Sequence, residues 1–133
     1  MENDDRRLAC RFLATLVDVV FVLSNETFQR SVWLYGNHPK RYVSSYDETA
    51  EMFQENLEWL TADGLWQKAG ISERHIDALR RLFTELDRFD HGKRGRDPAD
   101  ILDDPGWRVI VTSAKAALGD LADNACGASP SVS

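Results

Sequence analysis

Sulfur is scarce in this chain: Cys10 and Cys126 are the only cysteines, and Met1 and Met52 the only methionines. Two cysteines, one in an apolar stretch and one near the C-terminal end, are too few for a disulfide framework. A structural zinc site would need more thiols or a clustered Cys/His set. Long hydrophobic runs are missing as well. The most apolar stretch, FLATLVDVVFVL, is interrupted by Asp18 and falls short of the about 20 residues that cross a bilayer as a helix. The opening MENDDRRLAC is polar and acidic, so the expectation is no signal peptide and a cytoplasmic protein. Positive charge is in deficit, with 16 Lys and Arg against 22 Asp and Glu and a formal net charge of −6. That balance disfavours direct nucleic-acid binding, where neutralising phosphates dominates affinity. It suits an acidic surface offered to a basic partner.

The 133 residues, 43% hydrophobic and 29% charged, have the composition of one globular domain. Residues 1–123 are expected to form it, with NACGASPSVS at 124–133 as a flexible tail. Hydrophobic periodicity predicts an all-α bundle of about five helices, four long and one short. The first spans about Asp5 to Leu23, with Leu8, Phe12, Leu16, Val19 and Leu23 on one face and Val17 and Phe21 on the far side. A helix apolar all round is central to a fold, although its β-branched residues leave a strand as the other reading. A short helix from about Glu26 to Leu34 follows Asn25 as a cap. The next opens on Ser45-Tyr46-Asp47-Glu48, a capping-box pattern, buries Tyr46, Ala50, Phe53, Leu57 and Leu60, and is expected to end at Gly64. A fourth starts near Ser72 and carries Ile76, Leu79, Leu82, Phe83 and Leu86 to about Asp90. HGKRGRDPADILDD then reads as a loop. The last helix begins at Asp104-Pro105, an acidic cap followed by proline in the first turn, and is lined by Trp107, Ile110, Val111, Ala114, Ala117, Leu118 and Leu121.

Between Ser44 and Trp66 there are six acidic residues and no Lys or Arg. At 100° per residue, Glu48, Glu51, Glu55 and Glu58 fall opposite Phe53 and Leu57. This stripe reads either as a docking face for a basic partner or as a solvated surface. Met52 and Trp59 sit on its flank, against a further helix of the bundle or as an exposed apolar patch at an interface. A second candidate is NETFQRSVWLYGNHPKRY, net positive and aromatic, where Trp33, Tyr35, His38, Lys40 and Arg41 would hold a flat or anionic ligand. Phe28, Val32 and Trp33 share a helical spacing, so its first half is expected to be structural, and a site there would begin at Tyr35.

Catalytic patterns are not assembled. No Glu-x-x-His pair of the diiron-bundle type occurs, Cys10 has no neighbouring His in sequence, and GKRGR is neither a P-loop nor a dinucleotide fingerprint. His75 lies near the core stripe of the fourth helix, as a core histidine with one hydrogen bond would. The expectation is therefore a non-enzymatic acidic binding protein without metal or cofactor, and a homodimer is one further possibility. Its partner face would be Glu48, Glu51, Glu55, Glu58 and Trp59, and its partner a protein with a basic surface. Small acidic proteins that neutralise basic nuclease-like toxins supply the analogy. A small enzyme or ligand-binding domain around Trp33 to Arg41 is the alternative.

Gln29-Arg30-Ser31-Val32-Trp33 running to Gly36, the acidic helix after it, and Asp104-Pro105-Gly106-Trp107 before the alanine-rich RVIVTSAKAAL form a pattern. It resembles an uncharacterised family of small actinobacterial helical proteins over roughly Phe12 to Leu121. The resemblance implies a helical fold and a bacterial origin, and brings no catalytic residues with it.

Overall fold

The computed structural model describes residues 2–34, 46–90, 97–121 and 126. The elements in order are α1 (Glu2–Ser24), α2 (Glu26–Gln29), a π-helical turn (Arg30–Leu34), α3 (Tyr46–Thr61), a 3-10 segment (Ala62–Ala69), α4 (Glu73–Asp90), α5 (Pro98–Asp103) and α6 (Pro105–Leu121). No strand occurs among the described residues, and the architecture is the all-α bundle expected. Its four long helices close a ring in which α1 packs on α3, α3 on α4, α4 on α6 and α6 back on α1.

α1 is the most deeply embedded element. Ala9, Leu13, Leu16, Val17, Val19, Val20, Val22 and Leu23 are all at most 1% exposed, because α3, α6 and the 3-10 segment cover it from different sides. A helix buried on so many sides can be apolar all round, as α1 is. Leu8 departs from the expected stripe and is exposed, since the first turns of α1 reach past the cover.

The other helices bury the stripes their periodicity predicts. Tyr46, Ala50, Phe53, Leu57 and Leu60 of α3 are core residues, as are Ile76, Leu79, Leu82 and Leu86 of α4. Phe83 is partly buried and stacks on Phe53 at 6.2 Å, tying α4 to α3. Ser113 Oγ of α6 donates to Glu85 Oε2 of α4 at 2.6 Å. At the start of α4, the Ser72 carbonyl accepts from the amides of His75 and Ile76, and the Ser72 amide donates to His75 Nδ1 at 3.1 Å. This is the side-chain-to-amide half of a capping box, with histidine where glutamate usually sits, so His75, half-buried, caps the Ser72 amide. We expect His75→Ala to lower stability by about 1 kcal/mol, by analogy with other lost caps, read as a shift in urea midpoint at unchanged m-value.

Three boundaries differ from the sequence reading. α3 stops at Thr61, and inside the Ala62–Ala69 segment Asp63 (φ 53°) and Gly64 (φ 69°) both take the left-handed conformation, kinking the chain. Gly64 therefore breaks α3 as expected, but the chain beyond it is helical again. Residues 98–103, read as loop, form α5. Asp97 Oδ1 accepts from Ala99 N at 2.9 Å and Pro98 occupies the first turn. The same Asp-Pro pattern starts α6, where Asp104 Oδ1 accepts from Gly106 N at 2.8 Å. The signal was thus present twice within a short stretch. The short helix after Asn25, whose Oδ1 caps Phe28 N at 3.0 Å, splits into α2 and the π turn.

The largest correction concerns the cysteines. Cys10 and Cys126 form a disulfide across a sequence separation of 116, with Cα atoms 5.6 Å apart. Cys126 Sγ also rests 3.4 Å from the Ala69 carbonyl; as a disulfide sulfur it has no proton to donate, so this is a packing contact. Two thiols far apart in sequence looked unrelated, and the fold places them together. Cys126 is thus fastened, while the rest of the expected tail at 124–133 lies outside the described residues.

Candidate interaction face

Glu48, Glu51, Glu55 and Glu58 lie on α3, on the side away from Phe53, Leu57 and Leu60; Glu51 and Glu58 are exposed, Glu48 is exposed, and Glu55 is exposed as well. Glu58 Oε1 accepts from Gln54 Nε2 at 3.2 Å. Ion pairs between described residues include Arg30 with Asp103 and Arg80 with Asp77, both at 3.7 Å. The capping-box serine, Ser45, lies outside the described residues.

Met52 and Trp59, paired in the sequence reading, part company. Met52 is half-buried against the core. Trp59 is 52% exposed, and no further helix among the described residues covers it. Its ring and that of Phe12 of α1 form a T-shaped pair at 5.1 Å and 81°, a geometry favoured by the aromatic quadrupole. Leu8, 41% exposed, lies beside it.

Around Trp59 the surface opens into a groove of about 480 Å³. Leu8, Phe12, Trp59 and Leu65 supply its apolar wall, and Asp5, Asp63 and Lys68 its charges. The groove exists because α1 and α3 run antiparallel, which brings the first turns of α1 to the last turn of α3. The left-handed pair Asp63-Gly64 then redirects the chain so that the 3-10 segment packs on α1 and forms the third side. Of the groove residues, sequence reasoning found only Trp59. Leu8 and Phe12 looked like core, and Asp5, Asp63, Leu65 and Lys68 gave no signal, because the three segments meet only through the bundle.

The alternative site fares differently. Trp33 is 7% exposed, with its ring 5.8 Å from Trp107 and 6.0 Å from Tyr46, so it serves the core. Its indole Nε1 is buried without a hydrogen-bond partner among the described residues. Tyr35, His38, Lys40 and Arg41 lie outside the described residues, as do His91 and GKRGR. No group of three or more His, Cys, Asp or Glu among the described residues could hold a metal.

What Trp33 joins is a junction of the two sequence motifs. Gln29, fully buried, donates through Nε2 to the carbonyls of Val22 and Leu23 at 2.8 and 2.9 Å, closing the C-terminal end of α1. Its Oε1 accepts from Trp107 Nε1 at 2.9 Å. Tyr46 and Phe89 complete the aromatic cluster, 5.7 and 5.3 Å from Trp107. Gly106 fits because a Cβ there would come within 3.3 Å of both Phe89 and Asp104. The motif residues 29–33 and 104–107 therefore build the bundle, and the exposed chemistry sits on α3 and the groove. Compared with family models, curated proteins and solved structures, the chain matches none.

Proposed function

We propose that this is a non-enzymatic binding protein that presents the outer face of α3 to a protein with a basic surface, in the manner of an immunity-type inhibitor of a nuclease-like toxin. The observation that carries the reading is the alignment of Glu48, Glu51, Glu55 and Glu58 along one outward face with the half-exposed Trp59 at its end. Carboxylates on a chain of net charge −6 steer a cationic partner toward the face. A partly exposed tryptophan is the kind of residue that anchors an interface once water is excluded. No single helix among the described residues is long and apolar enough to cross a membrane. The Cys10–Cys126 bond bears on the compartment: disulfides persist where the environment is oxidising, so the cytoplasmic expectation requires a protein that also folds with these thiols reduced.

Binding by such a face weakens with salt. Immobilised wild-type protein is expected to retain a basic partner at low ionic strength and release it at about 1 M salt, where the Debye length is about 3 Å. The charge-reversed Glu55→Lys/Glu58→Lys protein should retain none. Equal retention by both proteins would sink the reading. A gene for a large secreted toxin beside this one would identify the partner to try first.

A further inference from the structure

We infer that the groove beside Trp59 receives a bulky apolar side chain of the partner, presented on a segment whose flanking residues are Lys or Arg. This inference rests on the acidic-face reading above and adds to it the chemistry of the segment recognised. The groove wall is apolar, and its two large exposed members, Trp59 and Leu8, are at 52% and 41% exposure. An aliphatic or aromatic side chain entering there would cover both at once and pack on the exposed part of the Trp59 indole, whose T-shaped contact with Phe12 orients the ring. The charges around it select what flanks that side chain. Asp5, Asp63 and Lys68 line the groove, Glu55 and Glu58 lie about one turn or less along α3 from Trp59, and Arg7 and Arg11 are exposed on the α1 side, so the carboxylates concentrate on the α3 side, where the flanking residues of an incoming segment would lie. An apolar anchor flanked by carboxylates would meet like charge on that side, whereas one flanked by ammonium or guanidinium groups meets its complement. A second copy of this chain, itself of net charge −6, would bring its own Asp5, Asp63, Glu55 and Glu58 with Lys68 and would meet net like charge on the α3 side.

Three synthetic hexapeptides with blocked termini test this: two leucines between pairs of lysines, two serines between pairs of lysines, and two leucines between pairs of glutamates. Binding is followed by NMR on the full disulfide-bonded chain at low salt, with the Trp59 indole N–H assigned through Trp59→Phe. The leucine–lysine peptide is expected to shift the Trp59 indole and the amides of residues 5–12 and 62–68, and to bind about tenfold more tightly than either control, as burial of an apolar side chain would give. Trp59→Ala should remove that tenfold advantage and leave the weak binding of the serine–lysine peptide to α3 intact. If the two lysine peptides bind α3 equally, the groove inference fails and the acidic-face reading stands. Should neither lysine peptide bind, both fail. Tight binding of the glutamate peptide overturns the charge selection, and a dimer in light scattering that Trp59→Asp dissociates would show the groove to be filled by a second copy.

Discussion

Replacing Trp107 by alanine is expected to destabilise the protein by about 4 kcal/mol, the range for a large aromatic side chain removed from a packed core. Trp107 is fully buried and touches the rings of Trp33, Tyr46 and Phe89. Its loss would leave a cavity at the junction of α2, the π turn, α3, α4 and α6, where no single neighbour can collapse to fill it. It would also strip Gln29 Oε1 of its donor. Against a total stability of about 5–15 kcal/mol for a domain, this is the most damaging single substitution we identify. The melting temperature should fall by roughly 12–20 °C. A second substitution separates the hydrogen bonds from the packing. Gln29→Leu keeps the volume but strands the Trp107 N–H and the Leu23 carbonyl, while the Val22 carbonyl keeps a bond from Asn25 N at 3.3 Å. It should cost about 2–4 kcal/mol, because each buried polar group left without a partner costs about 1–3 kcal/mol. In a double-mutant cycle with Trp107→Phe, the two changes should couple by about 1 kcal/mol or more. Additive losses would mean that the Gln29–Trp107 bond contributes nothing, and that Gln29 acts only through its bonds to the carbonyls that end α1.

Removing the disulfide is the other change expected to matter most. The bond closes a loop with a sequence separation of 116. In the chain-entropy account a loop of that length restricts the unfolded ensemble by about 5 kcal/mol, and measured effects more often lie at about 2–4 kcal/mol. Cys10→Ser/Cys126→Ser should therefore lose about 2–4 kcal/mol in chemical denaturation. Dithiothreitol should impose the same loss on the wild type and leave the double variant unchanged. Iodoacetamide should label neither cysteine before reduction and both afterwards. If reductant leaves the wild-type denaturation curve where it was, the staple carries no stability. The effect should also have a direction in space. Cys126 rests on the Ala69 carbonyl at the end of the 3-10 segment whose other residues wall the groove, so amides of 62–69 should gain more hydrogen exchange on reduction than those of α4.

Most of the helical architecture was legible in the sequence because each helix has a strong local signature. α3, α4 and α6 carry apolar residues at three- and four-residue spacing, and Asn25 and Asp104 cap where short polar side chains are expected to. These signals act within one or two turns and do not need the rest of the chain. α5 was lost although Asp97-Pro98 repeats the signature of Asp104-Pro105, because six residues are too few for a periodic stripe to show. Leu8 fitted the stripe of α1 and is exposed all the same, since burial depends on what covers a position.

The sequence by itself determined that the chain is helical, where most of its helices begin and which faces are apolar, and it placed four glutamates opposite the core side of α3. Periodicity and capping are properties of neighbouring residues, so no partner segment is needed to read them. Only the tertiary structure decided that Cys10 meets Cys126, that Gln29 of one motif bonds Trp107 of the other, and that Leu8, Phe12, Trp59 and Leu65 open a groove beside the acidic face. Each of these joins segments far apart in the chain, and which segments meet is set by how four amphipathic helices close into one bundle.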